Sequence, residues 1–192
     1  MPLREDFSRW RGIALSAGLL AMSLIVTACS SPPTRDYQTP ETLCGTKVPK
    51  QLLEAVLPPG KSISAQSKSG HGSQRCRLEI DGNTALSAGV EWYDEGRPLD
   101  FLAGLMMPPV GDAGFERPHK LTPDKRFLIS DSAAVGLVKC ADPSYIDRDV
   151  KGDLFTKMYV LGGQSNEEEI KSLITAYTEA MTNSAACRNE IW

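Results

Sequence analysis

The sequence predicts an α+β domain in which an antiparallel sheet is packed on one face by a long C-terminal helix and shorter helices, with two disulfides. Three observations carry that expectation. Residues 75–80 and 84–93 alternate apolar and polar side chains on either side of Asp81-Gly82-Asn83, the pattern of a hairpin with one buried face. Ile170, Leu173, Ile174, Tyr177 and Met181 recur at helical spacing near the C-terminus. Cys44, Cys76, Cys140 and Cys187 form an even set, which outside the cytoplasm reads as two disulfides.

The N-terminus supports placement outside the cytoplasm. Arg4, Arg9 and Arg11, interleaved with Glu5 and Asp6, precede an apolar run from Ile13 to Val26. A basic start, an apolar middle and small residues at the end have the form of a secretory signal. The run is 14 residues, or 17 if extended from Gly12 to Ala28. A spanning helix needs about 20, so an uncleaved anchor is the alternative. Val26-Thr27-Ala28-Cys29 resembles the lipobox of bacterial prolipoproteins. The resemblance implies a diacylglycerol on the Cys29 sulfur and cleavage after Ala28, making residues 1–28 a signal peptide. Two acyl chains anchor stably where one does not. Residues 29–40, polar and proline-rich after the cysteine, then read as a tether of about 35 Å, with one domain over 41–192.

Removing the leader's 28 residues from 192 leaves 164, the length of one domain. The leader carries a net +1, so the whole chain's −3 becomes −4. That balance argues against nucleic acid as a partner. No polybasic patch offers a second contact to anionic lipid, so the bilayer is met through acylated Cys29. Three disulfide pairings are possible. Cys44–Cys76 with Cys140–Cys187 is preferred, because it gives each half its own staple across 32 and 47 positions. Each such loop stabilises by about 3–4 kcal/mol in the chain-entropy account. No Cys-x-x-Cys spacing suggests zinc.

Along the chain, Lys50 to Leu57 suits a short helix with Pro49 in its first turn, stopped by Pro58-Pro59-Gly60. In the hairpin, Cys76, Leu78 and Ile80 share a face with Leu86, Ala88, Val90 and Trp92, while Arg75, Arg77, Glu79, Ser87, Gly89 and Glu91 face outward. Pro98 to Met107 carries Leu99, Leu102, Leu105 and Met106 at helical spacing before Pro108-Pro109. Residues 110–124 read as loop, Arg126–Ile129 and Ala133–Cys140 as strands, 141–153 as an acidic loop and Leu154–Leu161 as a strand. Ser165 and Glu168 have capping-box spacing, and Glu167, Glu168 and Glu169 suit a helix N-terminus. Cys187 falls at the edge of the apolar stripe, within reach of a strand end bearing Cys140. The two halves echo each other as strands followed by a helix.

Candidate sites are weighed against ordinary roles. His71 and His119 lie in loop-like segments, and no Gly-x-Ser-x-Gly elbow accompanies them. Asp147 to Asp153 half-matches a calcium loop, but Lys151 and Met158 occupy its fifth and twelfth positions. Gly162-Gly163-Gln164-Ser165 opens a helix where an anion could bind, yet three glutamates follow. Phe101, Met106 and Met107 could form a recognition surface, although their spacing suits core packing. Trp92 belongs to the core face and Tyr93 to the other.

Leu43-Cys44-Gly45-Thr46, Leu57-Pro58-Pro59-Gly60, Arg75-Cys76-Arg77 and the stretch from Ile170 through Cys187-Arg188 resemble a group of small actinobacterial exported lipoproteins of unknown function. The resemblance runs from Leu43 to Arg188. It implies export, lipid anchoring and the four-cysteine count, and it brings no catalytic, cofactor-binding or metal residue. The expectation is therefore a membrane-anchored extracytoplasmic lipoprotein, a non-enzymatic binding or accessory module of the cell envelope. It would use no cofactor and would meet an envelope protein or wall component. The alternative is an envelope hydrolase using paired carboxylates. Its candidates are Asp94, Glu95, Asp100, Asp142 and Asp147.

Overall fold

A computed structural model describes residues 34–105, 119–141, 151–162 and 165–188. Residues 1–28, read above as a signal peptide, lie outside the described residues, as do Cys29, Met106, Met107, Asp142, Asp147 and most of the half-matched calcium loop.

In chain order the elements are β1 (Thr42–Leu43), β2 (Thr46–Lys47), α1 (Lys50–Val56), β3 (Ile63–Gly70), β4 (Ser73–Ile80), β5 (Asn83–Asp94), α2 (Leu99–Gly104), β6 (Lys120–Leu121), β7 (Phe127–Ile129), β8 (Ala133–Val138), β9 (Gly152–Val160) and α3 (Glu167–Met181). β1 and β2 pair by themselves. The other seven form one antiparallel sheet in the order β3-β4-β5-β9-β8-β7-β6. The architecture is the expected α+β one.

The β4–β5 hairpin turns at Asp81 and Gly82, whose φ angles of 50° and 80° suit the twist of a two-residue turn. The Asp81 carboxylate accepts the backbone N–H groups of Lys61 and Ser62, drawing the preceding segment onto the turn. Those bonds hold its pKa below the usual carboxylate range, the Lys61 bond contributing most.

β3 has no strand signal in the sequence. Ile-Ser-Ala-Gln-Ser-Lys-Ser-Gly lacks apolar alternation, and the strand is exposed along nearly its whole length. It forms because its partner does: Ile63 through Gly70 pair with Ile80 through Ser73 without interruption.

The sheet's inner face carries the main core. Leu86 and Val90 of β5, Leu154 and Met158 of β9 and Leu53 of α1 join Ile170, Leu173, Ile174, Tyr177 and Met181, each nearly or fully buried. α3 approaches the sheet closely over Gly136. A Cβ there would lie 2.4 Å from Thr178 Oγ1 and 2.8 Å from Thr156 Oγ1. Thr156 donates to the Gly136 carbonyl at 3.2 Å, and its hydroxyl lies 2.5 Å from that of Thr178. Helix and sheet are thus joined by a satisfied polar contact inside an apolar core. Tyr177 is fully buried nearby, which pushes its hydroxyl pKa well above the ordinary value.

Three sequence readings are corrected. The α3 capping box is one residue later than Ser165 and Glu168. Asn166 accepts from the backbone of Glu168 and Glu169, and Glu169 accepts from the backbone of Asn166. Ser165 instead donates to the carbonyl of Asp131 at 3.0 Å. The packed domain also begins before Glu41. Arg35 donates to the carbonyls of Glu54 and Leu57 at 2.8 and 2.6 Å, while Tyr37 donates to Pro58 O at 2.5 Å. α1 has no basic residue in its last turn, and Arg35 supplies that cation from outside. Finally, the sheet does not have one buried face alone. α2 lays Leu99, Leu102 and Ala103 against Leu128, Val135 and Phe155 on the outer face.

The disulfides are Cys44–Cys76 and Cys140–Cys187, with Cα separations of 5.3 and 5.4 Å. The halves echo each other in strand order about the β5–β9 pair, but α2 and α3 sit on opposite faces. Among the described residues no helix is long and apolar enough to cross a membrane.

Gly136→Ala is expected to lower unfolding stability by about 1–3 kcal/mol, because the threonines facing it are held by each other and by backbone. Urea denaturation measures it, and an unchanged midpoint would contradict the close approach. Replacing Cys140 and Cys187 together by Ser should cost about 3–4 kcal/mol in the same assay.

Candidate functional site

α2 covers only the β7–β9 half of the outer face. Over β3, β4 and β5 that face is open, and a groove of about 740 Å³ lies there. The antiparallel register determines what lines it. Outward residues of neighbouring strands stand in rows, so Gln66, Arg77, Ser87 and Tyr159 form one row. Lys68, Arg75, Gly89 and Lys157 form the next. Ser73 and Glu91 are opposite each other in a third. Leu105, just beyond α2, is half exposed at the rim.

Gly89 shapes the middle row. A Cβ there would meet the Gln74 carbonyl at 2.7 Å and Arg75 Cγ at 3.2 Å. Its absence lets the Arg75 stem lie across β5 and bring the guanidinium to Glu91, 3.4 Å away. Lys157 reaches the same Glu91 carboxylate from β9. Burial alone would raise the Glu91 pKa. The Lys157 hydrogen bond and charge, with Arg75 behind them, outweigh it and leave the carboxyl lower than usual. Lys157 is itself pushed down, chiefly by burial, against the pull of Glu91. Tyr93, also bonded to Glu91, is raised to about 12, first by burial and then by that neighbouring charge. Its ring meets Phe155 edge-on at 6.0 Å, so Tyr93 is half-buried beside α2.

Glu91 therefore occupies two cations of the four. Lys68 and Arg77 are exposed and have no ion-pair partner among the described residues. Glu79, outward on β4, accepts from Gln66 Nε2 at 3.1 Å and Ser64 at 3.4 Å. Ser73 of β4 and Ser87 of β5 supply hydroxyls along the groove. An arrangement of fixed cations and hydroxyls on rigid strands can bind an anion with polar surroundings.

The other candidates fall elsewhere. His71 sits in the turn between β3 and β4, and His119 immediately precedes β6. Asp94 pairs with Arg97 at 3.2 Å, the Glu95 N–H donates to Lys151 O, and Asp100 accepts from the Phe101 backbone. None of these three carboxylates lines the groove. Phe101 is exposed beneath the Arg97 guanidinium, 4.8 Å from its ring centre. Among the described residues no group of His, Cys, Asp and Glu could hold a metal ion. Sequence reasoning named Arg75, Arg77 and Glu91 only as an outward face. It missed Lys68 and Lys157, whose strand neighbours across the sheet were unknown.

Glu91→Gln strands Lys157 beside Arg75 and should cost about 1–2 kcal/mol at neutral pH, between the surface and buried limits for a broken pair. Because the folded-state pKa of Glu91 is depressed, its contribution is present above its ordinary value of 4.5 and is lost as pH falls through the folded value. The stability gap between wild type and Glu91→Gln should therefore shrink on acidification. A gap independent of pH would contradict the pairing.

Comparison of the chain with protein-family models, with curated proteins and with solved structures finds no match.

Proposed function

We propose that this chain is a lipid-anchored, extracytoplasmic binding module of the cell envelope, non-enzymatic, with its ligand seated in the groove over β3, β4 and β5. The observation that carries the reading is the groove's lining. Cations and hydroxyls project from paired strands, and of the carboxylates considered for hydrolysis Asp94, Glu95 and Asp100 are not among the lining residues. A hydrolase of the paired-acid kind needs two convergent acids within one cleft. Asp94, Glu95 and Asp100 do not supply them there.

The anchoring half of the proposal rests on Cys29 and the lipobox-like segment before it. Two acyl chains on that sulfur would hold the chain at the outer face of the cytoplasmic membrane. With Arg35 and Tyr37 packed against α1, the chain between Cys29 and Thr34 has a contour of only about 17 Å at full extension. The ligand would then be something found near the membrane surface, an envelope protein or a wall component.

Two measurements test the halves separately. Cys29→Ser should move the protein from the membrane fraction to the soluble extracytoplasmic fraction and remove the acyl mass from its N-terminal peptide. Retention of an intact leader in wild type would defeat the anchoring. For the binding half, the immobilised wild-type protein should retain material from fractionated envelope. A double charge reversal, Lys68→Glu with Arg77→Glu, should lose it. Equal retention by both proteins would remove the groove from the account.

A further inference from the structure

We infer that the groove takes an anionic saccharide, a carbohydrate chain whose carboxylate or phosphate groups sit among Lys68, Arg75 and Arg77. The inference rests on reading the groove as a binding surface, and it adds the chemical class of the occupant.

Charge is the first argument. The whole chain has a net charge of −3, yet four cations meet in this one trough. Glu91 engages Arg75 and Lys157 but lies between them, and Glu79 is bonded to Gln66 and Ser64. Lys68 stands directly opposite Arg75 and diagonal to Arg77. The diagonal spacing is about 7–8 Å, so the long side chains of all three can converge on one anionic group. Arg75 and Arg77, two residues apart on β4, stand about 7 Å apart. That gap is wide enough for each to serve successive charges on an extended chain. Their planar guanidinium groups suit carboxylate or phosphate oxygens.

Polar, hydroxyl-bearing side chains surround the cations. Ser73, Ser87 and Gln66 face the groove from the same side as the cations, and Tyr159 adds a phenol. Such a lining matches a ligand rich in hydroxyls. An acidic peptide would find Leu105 and Tyr159 as its main apolar footholds, which is little for side-chain selection. A volume of about 740 Å³ exceeds what a lone inorganic anion fills and accommodates a short run of sugar units. Nucleic acid is disfavoured by the acidic remainder of the chain.

The test is calorimetric titration of the full exported protein with three probes of equal length: tetragalacturonate, neutral maltotetraose and tetraglutamate. Tetragalacturonate is expected to bind about tenfold or more tightly than either comparison probe, and to weaken several-fold as salt rises from about 50 to 200 mM. Lys68→Glu with Arg77→Glu should abolish that binding. The neutral pair Lys68→Gln with Arg77→Gln should weaken it while thermal unfolding stays unchanged, since both side chains are exposed. Binding of maltotetraose equal to that of tetragalacturonate, preference for tetraglutamate, or indifference to both double variants would overturn the inference. If none of the saccharides binds but the charge reversal still abolishes retention of envelope material, the ligand class falls and the binding surface stands. If wild type retains no envelope material and no probe binds, both fall.

Discussion

The close seating of α3 over Gly136 is the contact on which the rest of the domain depends. Thr156, Thr178 and the Gly136 carbonyl fix the height of the helix above β8 and β9. At that height the stripe from Ile170 to Met181 reaches the inward residues of β7, β8 and β9 and loses its exposure almost completely. A helix held farther out would leave voids, and close-packed interiors are intolerant of them. Buried hydroxyls are an expensive way to set a distance unless each finds a partner. Here both threonines do, and the contact adds specificity to an otherwise greasy interface.

The ends of this packing are fixed by cross-links and charge. Cys187 follows α3 and is bonded to Cys140 beyond β8, so the helix cannot slide along the sheet. Lys120 meets Glu167 at 2.7 Å near the start of α3, and Arg126 meets Glu179 at 2.8 Å nearer its end, tying β6 and β7 to the same helix. On the other side, Cys44–Cys76 attaches the small β1–β2 turn to β4. Arg35 then closes the carbonyl end of α1, which packs on α3. The stretch bearing Arg35 and Tyr37, both helices of the inner layer and the sheet are therefore one connected body.

Because α1 and α3 take the inner face, the outer face is covered only where α2 lies. α2 is six residues long and reaches β7, β8 and β9, leaving β3, β4 and the outer rows of β5 uncovered. A half-covered sheet of this kind presents its outward side chains at fixed strand spacing. Those side chains are cationic although the chain as a whole is acidic. Glu91 tempers the field by binding Lys157 and Arg75, and Gly89 gives Arg75 the room to reach it. The groove's character is thus set by a glycine and a carboxylate as much as by its cations.

Local patterning was enough for much of this fold. The hairpin around Asp81-Gly82, the α1 stop at its prolines and the apolar stripe of α3 all follow from side-chain period, turn chemistry and spacing, while the cysteine pairing is one of three that the spacing allows. α2 was legible in place but not in length or function. Its Leu105 turns out half exposed, because the sheet beneath it ends at a groove. The Ser165 capping-box reading failed by one residue, since Asn166 with Glu169 makes an equally good local pattern and Ser165 is drawn to Asp131. β3 was invisible because its strand conformation comes from the pairing offered by β4 and not from any burial pattern of its own. The tether reading likewise missed Arg35 and Tyr37, whose partners lie about twenty positions away at the end of α1. The candidate site illustrates the same division. Sequence determined that Arg75, Arg77 and Glu91 face outward, because alternation is a local property of an extended chain. Only the tertiary structure put Lys68 and Lys157 in a row with them and left that row uncovered, because which strands are neighbours, and how far a helix reaches across them, are settled by non-local packing.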